Sequence, residues 1–103
     1  MAHGHRTAEL RSIAFHRLVA ERLEHDPELL RTARARVEEW IASGGPVHPH
    51  WARRWQELLA QPVPEIASVL VLDEEEARDL RQNTPFAGAL TPAERWQIVR
   101  EVR

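Results

Sequence analysis

Asn83-Thr84-Pro85-Phe86-Ala87-Gly88-Ala89-Leu90-Thr91-Pro92-Ala93-Glu94-Arg95-Trp96 is the one long stretch that lacks helical periodicity yet carries large apolar residues. The rest of the chain repeats at helical spacing, so the reading of this stretch decides the fold. It divides into two parts. Thr91-Pro92-Ala93-Glu94 is a full capping box, with threonine as cap, proline at the first helical position and glutamate at the third. It predicts a last helix with Trp96 and Val99 on one face. Ile98 and Val102 widen that face, and Arg95, Arg100 and Arg103 stay outside it. Residues 84–90 have no such local account. Pro85 biases Thr84 away from helix, Gly88 permits backbone that other residues resist, and Phe86 and Leu90 need burial. Either both close the core of the domain, or Phe86 anchors the pocket of a partner.

Upstream of this stretch the pattern predicts helices throughout. The first is expected over 7–25, with Thr7 as N-cap after a flexible tail at 1–6. It carries two apolar stripes. Phe15, Val19 and Leu23 with Ile13 and Ala20 form one; Leu10, Ala14 and Leu18 form the other. A helix apolar on two sides is buried on two sides, either centrally in its own core or with one stripe against a second chain. His16 reads as a hydrogen-bonded helix histidine.

Asp26-Pro27-Glu28 opens the second helix, which Gly44-Gly45-Pro46 stops. Leu30, Ala33, Val37, Trp40 and Ile41 mark its single inward face, and Arg34 is spaced to pair with Glu38. The third helix, 49–61, gathers Trp51, Trp55, Leu58 and Leu59 into a wedge about 100° wide. Arg53 and Arg54 lie beside the tryptophans, so this face reads as core or as an aromatic and arginine interface. Residues 66–72 are rich in β-branched side chains, but no second strand exists to pair with them. They are expected to form a short buried helix. Asp73 and Glu76 have capping-box spacing for a fifth helix, with Ala77 and Leu80 inward and Arg78 and Arg81 paired with Glu74 and its neighbours. The fold expected is all-α: a compact bundle of five to six short helices, in one domain over 7–103.

The composition excludes several functions. The 103 residues include no cysteine, so thiolate chemistry and disulfides are absent. No apolar run approaches the roughly 20 residues of a membrane span, and none resembles the core of a signal peptide. We therefore expect a cytoplasmic protein with no membrane partner. All 14 basic residues are arginine, against 16 acids. That balance does not favour DNA on electrostatic grounds. His48-Pro49-His50 invites a metal, but zinc needs further converging ligands, and the other histidines have no ligand spacing. His3 with a free amine could chelate copper, yet neither feature makes a metal site. No nucleophile elbow, phosphate loop or His-Glu-x-x-His is present. We expect no enzyme, no cofactor and no metal.

The run from Leu80 to Trp96, together with the stretch from His16 to Val37 that contains Asp26-Pro27-Glu28-Leu29-Leu30, resembles a family of small bacterial helical proteins. Their place in two-gene operons implies antitoxins. The resemblance spans most of residues 12–103 and brings no catalytic residue with it. It implies that the chain binds and neutralises a toxin encoded beside it, of nucleotidyltransferase-like or similar type. On this reading the partner-binding residues are drawn from Trp51, Arg53, Arg54, Trp55, Pro85, Phe86, Leu90 and Trp96. A helix-turn-helix DNA regulator and a homodimeric adaptor are the competing readings.

Overall fold

The computed structural model describes the backbone of residues 2–103 and the side chains from Arg6 onward. Six helices follow one another: α1 (Ala2–Leu23), α2 (Pro27–Ser43), α3 (Pro49–Leu59), α4 (Val63–Leu70), α5 (Glu75–Gln82) and α6 (Pro92–Glu101). The described residues include no strand. The fold is all-α, as the periodicity requires.

The helix ends follow the chemistry of their caps. The Asp26 carboxylate accepts from the backbone N–H groups of Glu28 and Leu29 at 3.1 and 3.3 Å, with Pro27 opening α2. Gly44 closes that helix at φ 80°, in the left-handed region where a side chain is strained. At α3 the cap is His48, whose ring Nδ1 accepts from His50 N–H at 3.1 Å. This nitrogen is therefore spent on the backbone. At α6 both halves of the capping box form: Thr91 accepts from Glu94 N–H, and the Glu94 carboxylate accepts from Thr91 N–H.

Three expectations about local structure fail. α1 begins at Ala2, so Thr7 lies inside a helix, where it cannot act as a cap, and residues 2–6 are helical. The side chain of His3 lies outside the described residues. Asp73 does not cap α5; Glu74 occupies the N-cap without a side-chain bond, and Asp73 pairs with Arg6 and Arg78. Arg34 does not pair with Glu38. Its Nε and Nη2 donate to the Leu59 carbonyl at the end of α3, at 2.9 and 2.7 Å. A helix-end carbonyl without an intrahelical partner needs a donor, whereas an exposed ion pair with a solvated carboxylate gains little.

The core is assembled around α1, which packs most extensively on α4 and also touches α2, α5 and α6, while α2 and α3 form an antiparallel pair. Val19, Leu23, Val37, Trp40, Trp55, Leu59, Ile66 and Leu70 meet at its centre, and Phe86 joins them from the 83–91 connection. Trp55 and Phe86 are among the largest fully buried side chains. Their rings meet edge to face, with centroids 5.9 Å apart, and Trp55 Nε1 donates to the Leu80 carbonyl at 3.0 Å. A side chain of this kind stabilises a fold by about 1.5–3 kcal/mol when fully buried.

Candidate interaction surface

The eight residues marked by the sequence separate into two sets. Trp55, Pro85, Phe86 and Leu90 are buried. In this fold they hold the domain together and leave little of their own surface exposed. Their apolar bulk could be matched by the core, and the Pro85 carbonyl is bonded by Arg36 at 2.7 Å. Trp51, Arg53, Arg54 and Trp96 reach the surface to different degrees. Trp51 is half-buried, with its ring edge-on to His50. Arg54 is engaged with Glu57 and Glu76. Arg53 is exposed. Trp96 is 64% exposed, and it sits on α6, which packs chiefly on α1 and away from α3. The structure therefore does not unite the tryptophans of α3 with that of α6.

The last helix is presented outward rather than absorbed. Only Ile98 of α6 is buried. Trp96 and Ile98 are two residues apart, about 200° around a helix, and cannot share a face. The rotation is fixed by charge. Glu94 lies one turn before Ile98, and Arg22 of α1 forms an ion pair with it. Those bonds from Arg22, with the Thr91 N–H second, hold the Glu94 carboxyl down at about 2. At the other end, Arg11 of α1 donates to the Val102 carbonyl at 2.8 Å and to Val99 at 3.4 Å. Both ends of α6 are thus pinned to α1 through arginines, which leaves Trp96 facing solvent. Of the face expected to run inward, Trp96 is turned out and Val99 is only half-buried.

Arg95, Arg100 and Arg103, in the same C-terminal segment as this tryptophan, are all exposed. Among the described residues none of the three forms an ion pair. Arg95 lies over the Phe15 ring, 5.7 Å from its centroid, a cation–π arrangement. The second stripe of α1 is also incompletely covered: Leu10 is 38% exposed, and Ala14 and Leu18 are half-buried.

No family model, curated protein or solved structure matches the chain.

Beneath the α6 face lies a polar network that spacing alone did not single out as a site. His16 is 2% exposed. Its Nδ1 lies 2.7 Å from the Ser12 carbonyl and its Nε2 2.8 Å from the Thr84 hydroxyl. A carbonyl can only accept, so Nδ1 carries the proton. Thr84 Oγ1 accepts from Phe86 N–H at 3.1 Å, so its own hydrogen goes to Nε2. The ring is neutral and fully bonded. Burial pushes it down to about 4, against the bond to Ser12, which raises it, and with the charge of Arg81, which lowers it further. This chain of bonds ties α1 to the irregular connection. Its bonds run within the fold, from the Ser12 carbonyl through the ring and the Thr84 hydroxyl to the Phe86 N–H.

Arg81 was expected to pair with glutamates on the surface; instead it is 3% exposed. Its Nη1 donates to the carbonyls of Leu70 and Leu72 at 3.3 and 2.6 Å. The signal was in the spacing: Arg81 falls one turn after the buried Ala77 and next to Leu80, on the apolar side of α5. Among the described residues, no three histidine, aspartate or glutamate side chains converge as metal ligands, and no helix is long and apolar enough to cross a membrane.

Proposed function

We propose that this chain is a protein-binding module that docks its partner on the outer face of α6, with Trp96 as the anchor. The observation that carries the reading is a 64%-exposed tryptophan flanked by arginines without ion pairs. Tryptophan and arginine are the side chains most enriched at the energetic centres of interfaces. Uncompensated guanidinium groups select an acidic surface on the partner. The specific form we propose is the one the resemblance implies: an antitoxin that covers a toxin made from the adjacent gene. Pre-organisation also supports docking here, since a helix pinned at both ends loses little freedom on binding.

Co-expression with the product of the adjacent gene, followed by size-exclusion chromatography, tests this. A stable heteromeric complex that dissociates when Trp96→Ala is introduced is the expected result. Independent elution of the two proteins at micromolar concentration overturns the antitoxin reading. A complex that is indifferent to Trp96→Ala and to Arg100→Gln overturns the assignment of the surface. A strongly salt-dependent mobility shift on the chain's own promoter, with no protein complex, would favour the DNA regulator instead.

A further inference from the structure

Beside the Trp96 face, a cleft of about 290 Å³ opens where α1, α6 and the 83–91 connection meet. Arg11, Arg81 and Arg95 contribute to its walls, and no aspartate or glutamate does. Phe15, Ile98 and Val99 supply apolar wall. Three arginines thus line one cleft without a carboxylate among its lining residues, although Arg81 also borders a neighbouring cleft that contains Glu9.

Each arginine has a different degree of satisfaction. Arg11 is spent on the neutral carbonyls of Val99 and Val102, which leave its charge uncompensated. Arg95 is exposed and has only the Phe15 ring beneath it. Arg81 is the telling one. Its Nε and Nη2 are covered from solvent and have no hydrogen-bond partner. The nearest carboxylates, Asp73 and Glu9, favour its charge from a distance without bonding to it, and each is shared between Arg6 and Arg78. An unpaired buried charge is among the most costly features a fold can carry, and such a group calls for an explanation in a bound species or a function. The neighbouring His16 and Thr84 cannot supply the counter-charge, because the ring is neutral and the hydroxyl is already committed on both sides.

We propose that this cleft binds a carboxylate, held by Arg95 at the mouth and Arg81 at the base. The guanidinium fork matches a carboxylate in two parallel bonds. The apolar walls favour a carboxylate carried on a hydrocarbon or aromatic stem over a free phosphate. Arg95 makes the first contact. Arg81 then turns its unpartnered edge into the cleft by giving up the longer of its two bonds, the one to Leu70. The carboxylate has two sources of the same chemistry: a free small acid, or a glutamate or aspartate side chain presented by a docked protein. The binding step itself does not depend on the α6 docking proposal, since it is measured on this chain alone.

The test is a titration of the full chain, followed by backbone amide NMR, at constant ionic strength. Sodium benzoate represents the free acid. A capped leucine-rich hexapeptide with one central glutamate represents the protein-borne one. Inorganic phosphate and chloride are the controls. The expected result is saturable shifts clustered at Ser12, Thr84, Ala87 and Val99 with benzoate or the peptide, the tighter of the two naming the source. Arg95→Gln, an exposed substitution that leaves the fold intact, should weaken binding about tenfold, as loss of a charge-assisted bond does. Arg81→Gln should weaken it at least as much, and Arg53→Gln, on α3, should leave it unchanged. Phosphate binding more tightly than both carboxylates, shifts reproduced by chloride, or full binding in Arg95→Gln would each overturn the proposal.

Discussion

Phe86 and Trp96 are ten residues apart in one stretch of chain and meet opposite fates. Phe86 sits in a connection without regular structure and is 1% exposed; Trp96 sits in the best-capped helix of the chain and is 64% exposed. Regular structure and burial are therefore separate matters here. The irregular 84–90 segment satisfies its polar groups through Thr84 within the segment and Arg36 from α2, and so can carry its apolar residues into the core. The final helix commits only Ile98 fully to the core, and its cap and two arginine anchors help to hold it. It is free to place its largest side chain outside.

The contrast is broken most directly at Phe86. Phe86→Ala should destabilise the fold by about 3–5 kcal/mol, as truncation of a buried aromatic does, with chemical denaturation as the measurement. A loss below about 1 kcal/mol would mean that the 84–90 segment does not close the core. Gly88 offers a control in the same segment. Its φ is not positive, and a Cβ there meets open space, contrary to the conformational role expected of it. Gly88→Ala should leave stability within about 0.5 kcal/mol of the wild type.

His16 sharpens the comparison through pH, because it links α1 to the buried segment alone. Its folded pKa, about 4, lies below the ordinary value of 6.5. Between those values the unfolded chain holds a proton that the folded chain refuses. The stabilisation is therefore complete above about pH 6.5 and is lost as the pH falls towards 4. The full window corresponds to roughly 3 kcal/mol. His16→Leu should abolish this slope in denaturation midpoints measured from pH 7.5 down to 4.5. Below that range Glu94 takes over. Its carboxyl is depressed by Arg22, so its contribution is present above about pH 4.5 and fades towards pH 2. Acid should then loosen α6 from α1 after the His16 link has already gone.

How much of this was legible in the sequence depends on which interaction set each position. The helices, the Asp26 and Thr91 caps and the glycine stop at Gly44 were readable because their causes lie within a few residues of one another. The size of Phe86 and Trp55 called for burial but left open whether the core or a partner would supply it, and the core does. The inward turn of Ile98 in place of Trp96 could not be read from apolar content, since both are large and apolar. It is set by Arg22 reaching Glu94 from another helix. Arg81 was misplaced for a related reason. Its charge suggested solvent, while its position on the apolar side of α5 and the free carbonyls of Leu70 and Leu72 drew it in. Arginine roles that depend on distant carbonyls, as at Arg34 and Arg11, leave no mark on local spacing.

Loss of the α6 cap should have a smaller effect than either core change. Thr91→Ala removes the bond to Glu94 N–H and should cost about 1 kcal/mol. Because Arg22 and Arg11 still hold the helix to α1, the loss should appear as faster amide exchange in the first turn of α6, without global unfolding. Exchange that quickens equally across α2 and α3 would show instead that α6 is integral to the core.

The smallest effect on stability, and the sharpest test of the contrast, is expected at Trp96 itself. With about two thirds of its surface already in water, Trp96→Ala removes little that the fold has buried. Its stability should remain within about 0.5 kcal/mol of the wild type. Its effect on a complex should be far larger, about 2 kcal/mol or more if the side chain is the anchor of the interface. The two measurements separate the alternatives cleanly. A tryptophan that packs on the domain would lower the denaturation midpoint, and one that serves neither role would change nothing. A tryptophan held outward for a partner changes the complex alone, and the reverse pattern is expected at Phe86: stability falls, and the complex weakens only as far as the folded population does.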